Sequence, residues 1–218
     1  DDVVDESDLR RGRKTANAMF GNAASVLVGD FLYSRAFQMM ISVGQMRVME
    51  ILADTTNVIA EGEVLQLLNI NDSNVTEARY LQVIHYKTAR LFEASTQLAA
   101  VLHGCTPEHE AACATYGRHL GAAFQLADDI LDYAGDTATL GKNVGDDLRE
   151  GKPTLPLIYV MANGDEDEQA IARTAIENGG IDQHHPDFER MLKTIQDKGA
   201  LKYTQELAEN EAALEKAA

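Results

Sequence analysis

Residues 117–132, GRHLGAAFQLADDILD, place three carboxylates in a stretch whose other residues are typical of a buried helix. Asp128 and Asp132 are four residues apart and Asp129 is three from Asp132, so on a helix all three crowd one side. Burying carboxylates close together is costly, because each loses its hydration and repels the others. The stretch therefore predicts either an exposed acidic patch or a site where cations offset the charge.

The chain begins with a second acidic cluster of the same spacing, DDVVDE, which contains Asp1, Asp2 and Asp5. This repetition favours a cation site over a solvated patch. Mg2+ prefers oxygen ligands, usually one or two carboxylates together with substrate phosphates and water. A diphosphate bridged by metal ions between the two clusters would also need Lys or Arg at its free oxygens. Arg binds phosphate bidentately and Lys binds it as a point charge.

Four basic residues are candidates for that role because each lies within or just after a motif. Taken singly, each would be interpreted as a surface charge. They are Arg10, Lys87, Lys142 and Lys152. The six histidines show neither metal-ligand spacing nor a triad pattern, so the sequence predicts no dedicated protein base.

Composition limits the function classes. At 218 residues and 45% hydrophobic content the chain fits one domain with a sizeable core. The net charge of -16 argues against nucleic-acid or anionic-membrane partners. Cys105 and Cys113 are not spaced as metal ligands or as a redox motif, so we expect both to be reduced thiols. With no run near the ~20 apolar residues of a transmembrane span and no secretory signal, we expect a cytoplasmic protein.

The pattern of the whole chain predicts an all-α fold. Proline occurs four times, and alternating β-branched runs are absent. The predicted helices are 22–43, 46–70, 76–103, 107–133, 154–163, 166–178, 186–198 and 200–217, with a polar loop at 135–153. Helix 22–43 is apolar on most faces, which predicts burial in a bundle core or in a subunit contact.

Five motifs occur in order along the chain: DDVVDESDLRRG, YKTA, GAAFQLADDILD, GKNVGDDL and GKPTLP. This ordered set resembles that of the trans-type (head-to-tail) isoprenyl diphosphate synthases, the polyprenyl synthetase family, and most of all its long-chain octaprenyl members. The resemblance implies the isoprenoid synthase helical bundle around a deep central cavity, as a homodimer. It covers essentially the whole chain, so 1–218 is expected to form a single polyprenyl synthetase domain.

Site residues can be carried over motif by motif. The resemblance implies that the first aspartate motif binds two Mg2+ ions and the second a third, with Asp1, Asp5 and Asp128 as ligands and Asp2, Asp129 and Asp132 in support. The allylic diphosphate would contact Arg10, Lys87, Gln125, Lys142 and Lys152. Arg11 would bind the diphosphate of isopentenyl diphosphate. Lys87, Thr88 and Gln125 also match positions at which the family stabilises an allylic cation.

The implied reaction is Mg2+-dependent condensation of isopentenyl diphosphate onto an allylic diphosphate such as farnesyl diphosphate. The implied product is octaprenyl diphosphate for ubiquinone side chains. Heptaprenyl, nonaprenyl and shorter products remain alternatives, as do a non-catalytic subunit of a heteromeric synthase and a terpene cyclase.

The growing product needs an apolar channel, and helices 22–43 and 46–70 are its candidate walls. The candidates for its floor are Met39, Met40 and Leu52, although plain core or dimer packing is the more economical interpretation of these three. Glu63 and Gln66 are expected to face the cavity. The family's basic GGKRxRP-like motif upstream of the first aspartates is absent here, so we expect a chain without its N-terminal helices and C-terminal end.

Overall fold

Helices make up nearly all the regular structure in the computed structural model, which describes residues 2–4, 7–10, 12–134 and 145–215. The exception among these residues is a short antiparallel hairpin, β1 (Leu9–Arg10) and β2 (Arg13–Lys14). The all-α prediction is confirmed. The described residues divide into two compact units, one up to Ile51 and one from Leu52 onward.

The first unit contains the hairpin and two helices, α1 (Ala16–Phe20) and α2 (Asn22–Ser42). The buried side chain of Thr15 accepts a hydrogen bond from the backbone N–H of Ala18 and so caps α1. Gly21 separates the two helices with a φ of 82°, a value that costs glycine little and other residues much more.

Helix α2 lies wholly in the described part of the chain, and none of its residues is buried. Leu27 and Phe31 are 68% and 66% exposed. The sequence predicts that this helix is buried either in a bundle core or in a subunit contact. Within the described residues, it is not buried in a bundle core. The physical reason is that a hydrophobic pattern records which face needs cover but not which element supplies it.

The second unit is built from most of α3 and a series of further helices. In chain order the helices are α3 (Met46–Asn69), α4 (Glu77–Ile84), a π-helical turn (His85–Ala89), α5 (Arg90–His103), α6 (Pro107–Ala134), α7 (Asp146–Arg149), α8 (Leu155–Asn163), α9 (Glu166–Glu177), α10 (Pro186–Asp197) and α11 (Ala200–Glu215). The predicted helix 76–103 is thus interrupted by the π-helical turn. Helix α4 starts after Thr76, whose side chain accepts a hydrogen bond from the backbone N–H of Arg79.

Helix α6 lies against both α5 and α11 and contributes to two apolar clusters. Leu126 belongs to a cluster with Tyr80, Ile84, Leu155 and Ile158. Tyr133, seven residues further along α6, belongs to a cluster formed by residues of α7 to α11. The three aspartates at the end of α6 therefore lie along the helix between the residues that join it to the two clusters. Within the described residues, no helix combines the length and the apolar character needed to cross a membrane.

Candidate active site

The three aspartates at the end of α6 do not share one environment. Asp128 is exposed, whereas Asp129 and Asp132 are only 3% and 1% exposed. Asp129 points about 100° away from Asp128 around the helix, so it faces the interior while Asp128 faces outward. Asp132 lies nearly in line with Asp128 but is covered by the start of α7, where the backbone N–H of Asp147 donates to it. The uniformly exposed acidic patch considered from the sequence is therefore excluded.

Asp129 is held by two hydrogen bonds. The hydroxyl of Tyr80 donates to its Oδ2 at 2.6 Å, and the amide Nε2 of Gln125 donates to its Oδ1 at 2.9 Å. The pKa of Asp129 is raised from 3.8 to about 6; burial is the largest cause, the negative charges of Asp128 and Asp132 add to it, and the two hydrogen-bond donors oppose it. With that pKa the side chain is an anion at neutral pH, and each of its oxygens has a donor.

Asp132 ties the end of α6 to α7. Its side-chain Oδ2 accepts a hydrogen bond from the backbone N–H of Asp147 at 3.1 Å. Its backbone carbonyl oxygen accepts one from the backbone N–H of Gly145 at 2.7 Å. Next along the chain, the hydroxyl of Tyr133 is 2.9 Å from that of Thr154, the residue before α8. These contacts order the polypeptide that leads to Lys152.

The π-helical turn carries the motif YKTA and directs two of its side chains to different helices. Lys87 Nζ donates to Gln66 Oε1 at 2.7 Å and forms an ion pair with Glu63 at 3.1 Å, both on α3. Thr88 Oγ1 donates to Gln125 Oε1 on α6 at 2.9 Å. A π-helical turn inserts extra backbone into a helix and often occurs at functional sites, because it re-aims the side chains it contains.

Two glycines allow α3 and α6 to approach this turn closely. A Cβ on Gly62 would lie 2.7 Å from the backbone nitrogen of Lys87, and a Cβ on Gly121 would lie 2.5 Å from the Cα of Ala89. Both distances are shorter than any normal contact, so a larger residue at either position would displace backbone. Gly121 opens the motif GAAFQLADDILD, but the local sequence around neither glycine shows that a distant backbone packs against it.

Lys152 is mostly buried and lies in a tight turn. Its backbone N–H donates to the carbonyl oxygen of Asp147 at 3.0 Å, and its ammonium group forms an ion pair with Glu150. The turn packs against the segment before α10, since Ile181 donates to the carbonyl oxygen of Leu148 at 3.0 Å. The ammonium of Lys152 thus belongs to the same unit as Lys87 and the α6 aspartates.

The N-terminal candidates are only partly described. Asp2 accepts hydrogen bonds from Nε and a terminal nitrogen of Arg10, at 3.1 and 2.6 Å. Four other predicted site residues lie outside the described residues: Asp1, Asp5, Arg11 and Lys142. Of the predicted channel floor, Met39 is 61% exposed, whereas Met40 and Leu52 are half-buried.

The donor set of the second unit fits a magnesium–diphosphate complex better than a closed metal site. Within the described ranges, no three Asp, Glu, His or Cys side chains converge as a ligand cluster. Mg2+ typically uses one or two protein carboxylates and takes its remaining ligands from phosphate and water. Asp128 fits such a role because it is exposed to solvent, whereas Asp129 is only 3% exposed.

Tyr80 is the site residue that sequence reasoning missed. It belongs to none of the five motifs and is 49 positions from Asp129. Gln125 and Asp129, in contrast, are four residues apart on one helix, a spacing that by itself predicts a contact.

Comparison with known proteins places this arrangement in a family. Residues 1–195 match the family model described as polyprenyl synthetase. The chain is 58% identical to octaprenyl diphosphate synthase of Escherichia coli (strain K12), and the alignment covers 97% of this chain and 65% of that protein. It is 49% identical to an all-trans-nonaprenyl-diphosphate synthase of Rhodobacter capsulatus, over 97% of this chain and 63% of the relative.

A solved structure shows the same fold. The polyprenyl synthase of Caulobacter crescentus CB15, complexed with calcium and isoprenyl diphosphate, superposes with a TM-score of 0.94 at 49% identity. That comparison covers 99% of this chain and 65% of the other. The chain thus spans about two thirds of the length of the proteins it matches. Because the family model covers most of its residues, the chain belongs to the polyprenyl synthetase family.

Proposed function

We propose that the protein containing this chain is a trans-prenyltransferase that joins isopentenyl diphosphate head-to-tail to an allylic diphosphate. The observation that carries the proposal is the chain of hydrogen bonds Thr88–Gln125–Asp129–Tyr80, which links the YKTA turn to the second aspartate motif. These hydrogen bonds link the YKTA turn, which suits an allylic cation, to the aspartate motif, which suits metal-bound diphosphate, so the two belong to one site. Family membership and the names of the relatives support this function.

We propose Mg2+ as the metal, held by Asp128 and by Asp1 and Asp5 of the first motif, with three ions in the complete complex. The exposure of Asp128 and the preference of Mg2+ for carboxylate and phosphate oxygens support this assignment. When bound, the metal would neutralise negative charge on the departing diphosphate. Asp2 and Asp132 would support the ligands through their hydrogen bonds to Arg10 and to the start of α7.

The basic residues would bind the diphosphates directly. Glu63 and Gln66 hold the ammonium group of Lys87 in a partly buried position, which preorganises a positive charge beside Thr88. A preorganised charge stabilises developing negative charge without a further reorganisation cost. Arg10, Lys142 and Lys152 are proposed to contact the same allylic diphosphate, and Arg11 that of isopentenyl diphosphate.

The proposed product is a long-chain polyprenyl diphosphate, of octaprenyl length, for quinone side chains. The support is the identity of 58% to an octaprenyl diphosphate synthase, against 49% to a nonaprenyl relative, which is the second candidate. Met39, Met40 and Leu52 are the proposed floor of the product channel. We further propose that the chain is part of a single polyprenyl synthetase domain, which the match over residues 1–195 supports.

The proposed assembly is a homodimer in the cytoplasm. The exposed apolar face of α2 supports a contact with a second copy of the protein, because dimer formation would remove this apolar surface from water. Cys105 and Cys113 are both free thiols, as expected in a reducing compartment.

The test uses the full-length protein, radiolabelled isopentenyl diphosphate and farnesyl diphosphate, with product length read by mass. We expect chain extension that requires Mg2+ and stops when EDTA is added. Asp128→Asn is expected to lower activity at least tenfold, by the loss of a charged ligand. Absence of any Mg2+-dependent extension by the wild-type protein would refute the proposal. Extension that ended at seven or nine units would refute only the octaprenyl assignment.

A further inference from the structure

Tyr80 is a buried tyrosine whose hydroxyl makes a hydrogen bond, and it lies outside all five sequence motifs. It lies on α4, is 5% exposed, and directs its hydroxyl to Asp129 Oδ2 at 2.6 Å. A buried hydroxyl that donates to an anion forms one of the stronger hydrogen bonds in proteins. The contact joins α4 to α6 inside the apolar cluster that includes Leu126.

Asp129 is only 3% exposed, so little of its carboxylate is accessible to a metal ion in solvent, and each of its oxygens already accepts a hydrogen bond from the protein. Tyr80 occupies Oδ2, and Gln125 Nε2 occupies Oδ1 at 2.9 Å. Its neighbour Asp128 is exposed on an adjacent side of the same helix. The two consecutive aspartates therefore have different surroundings, which suggests different tasks.

The side-chain amide of Gln125 connects Asp129 to the π-helical turn. Its Nε2 donates to Asp129, and its Oε1 accepts from the Thr88 hydroxyl at 2.9 Å. The two ends of an amide have nearly the same shape, so hydrogen-bond partners decide its orientation. Asp129 Oδ1 accepts from the NH2 end of this amide, and the Thr88 hydroxyl donates to its other end. The carbonyl oxygen of Gln125 then faces the turn that holds Lys87 and Thr88.

We propose that Tyr80 and Asp129 are positioning residues that set the amide of Gln125 with its carbonyl oxygen toward the π-helical turn. In this role Asp129 acts through Gln125 and not as a metal ligand. The inference rests on the proposed function, in which Gln125 stabilises an allylic cation. The negative end of a carbonyl dipole stabilises a cation, whereas a reversed amide would present its NH2 group and oppose it.

Metal binding tests the assignment of Asp129 without any turnover. The full-length protein and its Asp129→Asn and Asp128→Asn variants are titrated with Mn2+ in the presence of inorganic pyrophosphate, by calorimetry. We expect Asp129→Asn to change the Mn2+ dissociation constant less than about threefold and Asp128→Asn to raise it more than about tenfold. Equal losses in the two variants would overturn the proposal, because Asp129 would then behave as a ligand.

A double-mutant cycle tests the path from Tyr80 to Gln125. We expect Tyr80→Phe to lower kcat roughly 10- to 100-fold with a small change in KM, as for a lost hydrogen bond to a charged group. In a Gln125→Ala background the same change should lower kcat less than about twofold, because no amide remains to be oriented. Losses that multiply in the double variant would overturn the inference and indicate a general structural role.

Tyr203→Phe is the matched control. It also removes a tyrosine hydroxyl that donates to a carboxylate on another helix, Glu77 at 2.8 Å, but outside the site. We expect kcat within about twofold of the wild type in this variant; a loss as large as that of Tyr80→Phe would overturn the inference. If the wild-type protein has no prenyltransferase activity, the proposed function fails, and the Mn2+ titration still decides whether Asp129 is a ligand.

Discussion

Gly121 and Ala89 lie in such close contact that α6 and the π-helical turn touch backbone to backbone. A Cβ at position 121 would be 2.5 Å from the Cα of Ala89. The contact holds the turn against the helix that carries Gln125 and Asp129. The geometry of the candidate site therefore depends on the absence of a side chain at a residue that performs no chemistry.

Gly121→Ala is expected to destabilise the protein by about 1–3 kcal/mol, because its methyl group meets backbone that cannot rotate away. The control is Gly29→Ala on α2, where a Cβ meets nothing within 4 Å among the described residues. Alanine is expected to stabilise that open helix position by about 0.5–1 kcal/mol. Urea unfolding followed by circular dichroism measures both free energies of unfolding. The prediction is wrong if Gly121→Ala is as stable as the wild type.

The raised pKa of Asp129 predicts a stability change with pH. Because its pKa is about 6 in the folded protein and near 3.8 when unfolded, folding takes up a proton between these values. The stabilising contribution is complete below the lower pKa and is lost as the pH rises through the higher one. We expect the free energy of unfolding of the wild type, relative to Asp129→Asn, to fall by about 2 kcal/mol between about pH 4 and pH 7.

That comparison requires EDTA, so that metal binding does not contribute to stability. Asp30→Asn on the exposed face of α2 corrects for the general effect of removing one negative charge. A difference between the wild type and Asp129→Asn that stayed constant with pH would contradict the prediction.

Lys87→Gln is expected to weaken the binding of Mn2+–pyrophosphate roughly 10- to 100-fold, because a positioned ammonium group is lost. Lys202→Gln serves as the control, since the side chain of Lys202 is 80% exposed on α11. Competition with a fluorescent diphosphate analogue measures both affinities. Equal affinities in the two variants would remove Lys87 from the diphosphate site.

The uncovered face of α2 predicts the assembly state. Phe31→Lys places a charge in the apolar surface, so we expect the dimer proposed for the full-length protein to dissociate at micromolar concentration. Leu214→Lys is the control, because Leu214 is an exposed leucine on a different helix, at 50% exposure. Analytical ultracentrifugation distinguishes the species. A Phe31→Lys protein that remained as dimeric as Leu214→Lys would exclude this face as the contact.

Local patterns in the sequence were sufficient for the helices and for contacts within one helix. Proline at 107 and the Thr76 cap mark helix starts that the structure confirms, and the spacing of Gln125 and Asp129 predicts their hydrogen bond. The π-helical turn was not predicted, because one extra residue per turn leaves the apolar pattern of a short segment nearly unchanged.

The amino-acid sequence alone predicts the all-α class, the family and the acidic, basic and amide groups that the chemistry requires, because periodicity and motif order are local properties of a chain. Which aspartate is buried depends on how the helices pack, as do the hydrogen bond from Tyr80 to Asp129 and the close approach of Gly62 and Gly121 to the turn bearing Lys87 and Thr88. Such contacts join residues far apart in sequence. They depend on how helices pack, which the pattern of any one helix does not contain.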